Sequence, residues 1–336
     1  MHILTMKKGG KMKKKLLESL FFIVLIGLIF LTYTITKNDK KKENKTIKIA
    51  EVTHSAFYTP LYVSIEKGFF KEENLEIELL LTPGADKVAS AVLSGDVEVG
   101  FAGPESAIYV YKGEEKDYLV TFAGLTKKDG QFIIGRKSTF NWKDLEGKEV
   151  LVGRKGGMPA LNFLRAMKNA GVDISKVNLN YSIDFASLSG AFIGNTGDYV
   201  NVFEPNATML EKENYGHIVA SIGTLSGEMP YTAFYTKKSY LENNKEIIQK
   251  FRNAINKGIQ YTKEHSSKEL ASIIIKQFPN TNESDLEKYI DNYKKNDSWL
   301  ENTIIKEEIY KNLQDLMIEN KLLDTYVPYD QLINNE

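Results

Sequence analysis

The chain of 336 residues contains no cysteine. This absence excludes disulfide bonds, cysteine-ligated zinc and thiol catalysis. Histidine is almost as scarce, with four residues and no pair at the spacing of metal ligands, so we expect no metal and no cofactor. The remaining composition, with 42% hydrophobic and 26% charged residues, is typical of a globular protein and excludes a collagen-like or disordered chain.

The net charge of zero hides an uneven distribution along the chain. Residues 1–45 hold eleven lysines and three acidic residues, which leaves the following 291 residues with 33 basic and 41 acidic side chains. An acidic body without a basic stripe repels nucleic acid, so we expect no nucleic-acid partner.

The N-terminal segment predicts a membrane anchor. Residues 16–35 form a nearly unbroken apolar run, long enough to cross a bilayer, and Lys13, Lys14 and Lys15 precede it. No small residue suited to signal cleavage follows before Ala50, which favours an uncleaved helix over a cleaved signal peptide. Six lysines before the run and five after it leave its orientation undecided by charge. Translation from Met12 instead of Met1 stays open, and residues 38–45 read as a charged tether.

Strand and helix patterns alternate through the body, which predicts an α/β fold. Residues 47–50, 77–81 and 97–101 alternate like strands, and helices follow that open at Pro60 and end at glycines. A second cycle begins after residue 142, and the chain becomes helical from residue 246. The segments 95–101 and 197–203 resemble each other, since each begins Gly-Asp, enters a strand and meets proline soon after. This echo indicates two similar lobes.

Ligands in open α/β sheets gather where strands end and helices begin. Four such loops stand out: residues 54–59, residues 103–106, residues 153–158, and residues 184–187 together with residues 203–205. The candidate ligand-binding residues in them are His54, Phe57, Tyr58, Gly103, Glu105, Ser106, Arg154, Gly156, Gly157, Met158, Phe185 and Glu204.

Each candidate has a functional and a structural interpretation. The aromatic residues near His54 would stack on a planar ligand, or would pack as core beneath the following helix. The Gly156–Gly157 helix start offers backbone N–H groups to a polar acceptor, or is a tight turn. Glu105 and Glu204 would accept from a ligand amine or ring N–H, or would satisfy first-turn N–H groups. Two acids in one cleft would repel a bare oxyanion such as nitrate. No residues form a catalytic arrangement.

Three segments resemble the substrate-binding proteins of ABC importers for nitrate, sulfonate, taurine and thiamine-precursor pyrimidines. Residues 55–70 (SAFYTPLYVSIEKGFF) resemble that family's first-helix signature, residues 93–100 (LSGDVEVG) its glycine-containing step, and residues 141–148 (NWKDLEGK) its entry to the second lobe. The resemblance extends over residues 46–330. Relatives with a lipid-modified cysteine differ from this chain, in which the apolar helix would replace the lipid.

The resemblance implies a two-lobed, type II periplasmic-binding-protein-like fold with a helical C-terminal segment. One lobe would comprise residues 46–136 and 235–336, the other residues 137–234, with hinges near residues 135–140 and 229–235. It also implies an extracytoplasmic, monomeric solute-binding protein that holds a small molecule between its lobes and delivers it to a permease driven by an ATPase. Family ligand contacts carry over to the same four loops.

Two other functions stay open beside this one. The fold also hosts a thiamine-pyrimidine precursor synthase, whose cysteine-rich motif is missing here, so we expect no enzyme. A sensor ectodomain with a separate signalling partner is the third reading. The aromatic loop with Glu105 and Glu204 favours a nitrogen-containing planar or zwitterionic ligand over a simple sulfonate, and the ligand's identity stays open.

Overall fold

The computed structural model describes residues 19–27 and 44–336, and these two parts form separate compact units, with the division at residues 44 and 45. Residues 19–27 are helical and lie within the predicted membrane segment, residues 16–35; the rest of that segment, the alternative start and most of the tether lie outside the described residues. Over the described ranges, no helix combines the length and the apolar character needed to cross a membrane.

The body contains ten strands that form two sheets. Their bounds are Lys45–Glu51 (β1), Leu75–Leu81 (β2), Val99–Ala102 (β3), Leu119–Thr126 (β4), Phe132–Gly135 (β5), Glu149–Leu151 (β6), Asn178–Asn180 (β7), Tyr199–Val202 (β8), His217–Ser221 (β9) and Thr232–Lys237 (β10).

Both sheets have the same arrangement of strands. The first has the order β2-β1-β3-β10-β4, and the second has the order β7-β6-β8-β5-β9. In each, three neighbouring strands are parallel, and the fourth runs antiparallel to the strands on its two sides. The predicted α/β class with two lobes is therefore confirmed, each lobe being one sheet and the helices packed on it.

The internal echo of the sequence marks equivalent positions in the two sheets. The segments 95–101 and 197–203 contain β3 and β8, each of which is the central strand of its sheet. Gly95 and Gly197, which open the two segments, both adopt a positive φ, at 84° and 73°. Glycine adopts this conformation at no steric cost, so the same turn leads into both central strands.

Two segments carry the chain between the lobes, residues 127–131 and residues 222–231. The predicted boundary at residue 136 assigns β5 to the first lobe, and the sheet order places β5 in the second, so the predicted hinge at residues 135–140 is several residues too late. The reason is local: β4 and β5 are both apolar, and the five-residue polar segment Lys127-Lys128-Asp129-Gly130-Gln131 that separates them is short.

Helices cover both sheets and make up most of the chain after β10. Their bounds are residues 19–27 (α1), Thr59–Glu66 (α2), Phe69–Glu72 (α3), Ala85–Ser94 (α4), Glu105–Lys112 (α5), Met158–Asn169 (α6), Leu188–Ile193 (α7), Asn206–Lys212 (α8), Gly223–Ser226 (α9), Lys238–Asn243 (α10), Lys245–Glu264 (α11), Ser267–Ile274 (α12), Glu283–Lys295 (α13), Glu307–Glu319 (α14) and Tyr329–Leu332 (α15).

Helix α11 and the end of the chain pack against the first sheet and its helices. Helix α11 packs on α2 so closely that the Ser64 hydroxyl donates to the Ala254 carbonyl at 3.0 Å, and a Cβ on Gly258 would lie 1.9 Å from the Ser64 Oγ. The buried Arg252 donates to the carbonyl of Phe122 in β4 at 2.7 Å, and the backbone N–H of Asn334 donates to Thr121 at 2.9 Å. These contacts fix the end of the chain against the first sheet.

Candidate functional site

The loop after β1, residues 54–59, belongs to the first lobe and extends to the junction between the lobes. His54 lies between the Glu51 carboxylate, 2.6 Å from its Nδ1, and the Gln277 carbonyl, 2.8 Å from its Nε2. Burial lowers the pKa of His54, but the Glu51 carboxylate outweighs burial and the pKa is raised overall. Every partner of His54 is thus a first-lobe group that fastens the loop; a contact with ligand remains a prediction.

Phe57 and Tyr58 are completely buried aromatic residues. The Phe57 ring contacts Phe203 of the second lobe at 5.4 Å and Tyr231 of the second crossing segment at 5.7 Å, measured between ring centroids. The Tyr58 ring packs at 4.4 Å from Phe101 at the end of β3, and burial raises the pKa of its hydroxyl. Phe57 therefore lies where the two lobes meet and is packed as core, and its contact with a ligand remains a prediction.

Glu105 lies at the first turn of α5 and faces the second lobe. Its side chain is 1% exposed, and its Oε1 is 3.7 Å from the Arg154 guanidinium of the second lobe. Burial raises the pKa of Glu105 to about 7, although Arg154 and the backbone N–H groups of Ser106 and Met158 partly offset this effect. Within the described part of the chain, Glu105 Oε2 makes no hydrogen bond. An acid with a free oxygen is thus enclosed between the lobes.

Glycine makes this close approach possible. A Cβ on Gly103 would lie 2.0 Å from Glu105 Oε2 and 2.6 Å from Met158 Cγ, so any larger residue would displace either the carboxyl or the second lobe. Gly156, at φ +78°, presents its carbonyl to the Tyr109 hydroxyl of α5 at 2.9 Å. The predicted loops at residues 103–106 and 153–158 are therefore in direct contact across the junction.

Glu204 also lies at the junction, but donors from the chain already occupy its carboxylate. Glu204 accepts from the backbone N–H of Thr208 at 2.9 Å, from the Thr208 hydroxyl at 2.8 Å and from the Asn292 amide of the first lobe at 3.0 Å. The Glu204 carbonyl accepts from the Ser55 hydroxyl at 2.7 Å. Its bond to Pro205 is cis. Burial raises the pKa of Glu204. The structure thus gives Glu204 a lobe-joining role, and its contact with a ligand amine remains a prediction.

The remaining predicted residues lie close to this junction. Phe185 packs on Phe203 at 5.6 Å, and Gly157 precedes α6 directly beside Arg154. Ser106 is buried at the start of α5, near the Tyr235 hydroxyl. Two surface cavities of about 760 and 480 Å³ lie on the first lobe and include none of the predicted site residues.

The first crossing segment and the second lobe hold further buried polar side chains that sequence reasoning missed. Asp129 of the first crossing segment is completely buried, and burial raises its pKa to about 8. Its Oδ1 accepts from the Gln131 backbone N–H at 2.6 Å, and the neighbouring Tyr231 hydroxyl partly offsets the rise in its pKa. The side chains of Gln131, Asn162 and Asn201 are buried as well, each with at least one unpaired polar atom. The short segment Asp129-Gly130-Gln131 between two apolar strands could have indicated buried polar side chains at this crossing.

Comparison with known proteins now gives the chain a family. The model of the family described as "NMT1/THI5 like" matches residues 56–269, more than half of the chain. This chain belongs to the NMT1/THI5-like family. A relative from Bacillus subtilis (strain 168) named "Putative binding protein YtlA" is 40% identical over 314 residues, 93% of this chain and 94% of that protein. The resemblance found in the sequence is therefore confirmed.

More distant members of the NMT1/THI5-like family differ in their named activities. A "Formylaminopyrimidine-binding protein" of Halalkalibacterium halodurans is 22% identical and covers 76% of this chain and 78% of its own length. A "4-amino-5-hydroxymethyl-2-methylpyrimidine phosphate synthase" of Aspergillus parasiticus is 24% identical over 64% of this chain and 67% of its own length. The alkanesulfonate-binding protein SsuA from Xanthomonas axonopodis pv. citri, solved with MOPS bound, has a TM-score of 0.70 at 15% identity, covers 88% of this chain and 99% of that one, and shows the same fold.

Proposed function

We propose that this protein is the extracytoplasmic solute-binding component of an ABC importer. It captures a small organic molecule between its two lobes and delivers that molecule to a permease whose ATPase supplies the energy. Membership of the NMT1/THI5-like family and the 40% identical relative named as a binding protein support this function. The two-lobed fold supports it as well, because ligand contacts made only when the lobes meet shift an open–closed equilibrium.

The observation that carries the proposal is the enclosed carboxyl of Glu105. A buried polar group without a partner costs about 1–3 kcal/mol, so a fold retains one where something else pairs with it. Glu105 Oε2 is such a group, and it lies between loops of both lobes. We place the ligand against Glu105, Ser106 and Met158, with Phe57 and Phe185 on the aromatic side.

A nitrogen-containing ligand suits this site better than a sulfonate. The carboxyl can accept from an amine or a ring N–H, whereas it would repel a sulfonate. The pyrimidine named as the ligand of one relative supports this choice. Because a structural neighbour is named as an alkanesulfonate-binding protein, sulfonates are included in the binding experiment below. The binding experiment below compares candidate ligands.

Residues 16–35 are proposed as the membrane anchor, with the body on the extracytoplasmic side. The length of the apolar run supports this. Fractionation of cells that express the full chain should leave it in the membrane, and a version that begins at residue 46 should be released and still bind ligand. Release of the full chain, with a new N-terminus detected by mass spectrometry, would instead show a cleaved signal.

A synthase activity is the alternative that the Aspergillus parasiticus relative raises. We propose that the chain is not an enzyme, because it has no cysteine and therefore lacks the cysteine-rich motif of that type of synthase. Incubation with pyridoxal phosphate and iron should yield no pyrimidine phosphate. Formation of that product would overturn this part of the proposal.

Isothermal titration calorimetry tests the binding function directly. Formylaminopyrimidine, hydroxymethylpyrimidine, taurine and ethanesulfonate are titrated separately into the protein. We expect a nitrogen heterocycle to bind and Glu105→Gln to weaken that binding by at least about ten-fold, since hydrogen bonds to a charged group contribute about 1.5–3 kcal/mol. Tight binding of ethanesulfonate with no pyrimidine binding would contradict the ligand preference. Small-angle X-ray scattering should show compaction when ligand binds.

A further inference from the structure

A hydrogen-bonded chain centred on His54 ties the loop at residues 54–59 to three other elements of the first lobe. His54 Nδ1 lies 2.6 Å from the Oε1 of Glu51, the last residue of β1. His54 Nε2 lies 2.8 Å from the carbonyl of Gln277, shortly after α12. The Tyr62 hydroxyl of α2 donates to the other carboxylate oxygen of Glu51 at 2.9 Å. The imidazole thus joins the first sheet to the C-terminal helices.

These partners determine how many protons the imidazole and the carboxyl share. A backbone carbonyl only accepts hydrogen bonds, so His54 Nε2 carries a proton. A carboxylate oxygen also only accepts, so a second proton lies between His54 Nδ1 and Glu51 Oε1, which are 2.6 Å apart. Glu51 is 2% exposed, and among the described residues no lysine or arginine nitrogen lies within 4 Å of its carboxylate. The imidazolium is therefore the cation that balances this buried carboxylate.

The groups around the imidazole hold that proton in place at neutral pH. Burial lowers the pKa of His54, but the Glu51 carboxylate outweighs burial and the pKa is raised overall. Burial and the same carboxylate raise the pKa of Tyr62 well above its usual value, so Tyr62 stays neutral. Glu66, one turn further along α2, accepts from the Gln277 side-chain amide at 2.6 Å. The proton is thus present below pH 6.5 and leaves as pH rises through the raised pKa of His54.

The residue after His54 makes a contact with the second lobe. The Ser55 hydroxyl donates to the Glu204 carbonyl at 2.7 Å. The Ser55 backbone N–H donates to the Tyr62 hydroxyl at 3.3 Å, and that hydroxyl also lies 3.1 Å from His54 Nδ1. Ser55 therefore takes its position from the same group of side chains that holds the proton, and it carries that position across the junction.

We propose that His54 is a positioning residue whose second proton holds the loop at residues 54–59 in the conformation that contacts the second lobe. When the proton passes to solvent, the lone pairs of His54 Nδ1 and Glu51 Oε1 face each other, so the imidazole separates from the carboxylate. Ser55 moves with it, and its bond to the Glu204 carbonyl weakens. Solute capture then weakens as pH rises; this consequence rests on the proposed binding function, and the response of the loop does not.

Trp299 reports the position of this loop without any solute. Its indole N–H donates to the Phe57 carbonyl at 2.8 Å, whereas the other tryptophan of the chain, Trp142, packs against Phe140 at 5.7 Å. The full chain, solubilised in detergent and labelled with ¹⁵N in tryptophan and histidine, is titrated from pH 6 to pH 9 by NMR. We expect the Trp299 indole signal to shift with the midpoint of the His54 ring nitrogens, above pH 6.5, and the Trp142 signal to stay in place.

Two substitutions separate the contacts of the imidazole. His54→Asn places an amide nitrogen where Nδ1 lies and keeps a donor for Glu51, whereas His54→Gln places one where Nε2 lies and keeps a donor for the Gln277 carbonyl. Neither side chain holds a titratable proton. The transition of the Trp299 signal with the His54 midpoint should therefore be absent from both variants, and the variant whose Trp299 signal matches wild type at pH 6 identifies the contact that positions the loop.

Controls distinguish this transition from other titrations. His217→Gln, at an exposed position, should retain it. Asp129→Asn should retain it as well, which separates it from the titration of Asp129, whose pKa is about 8. A Trp299 signal that does not move between pH 6 and pH 9, or that moves with the same midpoint in His54→Asn and His54→Gln, would overturn the proposal.

Calorimetry tests the consequence for solute capture. Formylaminopyrimidine and ethanesulfonate are titrated at pH 6 and pH 9 into wild type and His54→Asn, and the ratio of the two affinities is compared, so that ionisation of the solute cancels. Affinity scales with the fraction of protein in the competent conformation, so wild type should lose at least about three-fold relative to the variant between these pH values. If the loop responds to pH and neither solute binds, the positioning role stands and the importer function fails. If a solute binds with the same pH dependence in both proteins, the importer function stands and the coupling to capture fails.

Discussion

The buried Asp129 makes the stability of the protein depend on pH in a way that one substitution should remove. In the folded chain its carboxyl is completely buried, and its pKa is raised to about 8 because burial disfavours the charged form. In the unfolded chain the same carboxyl ionises near pH 4. Between these values the folded state binds one more proton than the unfolded state, so a rise in pH lowers the free energy of unfolding.

The size of this effect follows from the shift. Each pH unit between the two pKa values changes the free energy of unfolding by about 1.4 kcal/mol. From pH 5 to pH 8, Asp129 should therefore cost the wild-type protein about 3 to 4 kcal/mol. Asp129→Asn cannot ionise and avoids this cost. Any constant effect of the amide cancels in the difference between the two pH values, and the separate contribution of Glu105 cancels in the difference between variant and wild type.

Urea denaturation of both proteins at pH 5 and pH 8, followed by tryptophan fluorescence, measures this difference. We expect the stability of Asp129→Asn relative to wild type to rise by about 3 to 4 kcal/mol between pH 5 and pH 8. Asp324→Asn should run parallel to wild type, because its side chain is exposed. Parallel profiles for Asp129→Asn and wild type would refute the reasoning, since they would mean that the carboxyl ionises normally in the folded state.

Three further changes test other contacts. Tyr109→Phe removes the 2.9 Å hydrogen bond to the Gly156 carbonyl and should weaken ligand binding by roughly three- to ten-fold in calorimetry; unchanged affinity would mean that this bond does not favour closure. Asn292→Ala removes a donor from the Glu204 carboxylate across the junction and should weaken ligand binding to a similar extent, with Asn296→Ala on the same helix segment as its comparison. Gly258→Ala should lower stability by about 1–3 kcal/mol in urea denaturation, because its Cβ would lie 1.9 Å from Ser64 Oγ, whereas Gly190→Ala meets open space and should not.

The fold was predictable because its patterns are local. Alternating strands, proline-opened helices and glycine turns specify an α/β layer, and the echo between residues 95–101 and 197–203 marks the two central strands. The carboxyl-end rule then selected loops from both lobes, and the structure brings residues 103–106 against residues 153–158. Pattern and topology are enough for this, since neither depends on the conformation of individual side chains.

The buried polar side chains of the second lobe, Asn162 and Asn201, could not be predicted in the same way. Asn162 lies within a helix and Asn201 within a strand, and a carboxamide in such an element is normally predicted to be exposed. Their burial depends on the register of β8 with β5 and on the side on which α6 packs, which the sequence does not specify. The predicted hinge was wrong for a related reason. The sequence of an apolar strand such as β5 does not show which of the two sheets the strand joins. Glu204 lies at the junction, and its three donors come from Thr208 and from Asn292, which is distant in sequence.

Contact between the two lobes has opposing energetic contributions. Hydrogen bonds such as those from Tyr109 to Gly156 and from Ser55 to Glu204 join the lobes, and each contributes about 0.5–1.5 kcal/mol. Enclosure of polar atoms that make no hydrogen bond, such as Glu105 Oε2, costs about 1–3 kcal/mol for each unpaired group. A solute that pairs with Glu105 Oε2 would remove one of these costs, so the proposed ligand would favour contact between the lobes.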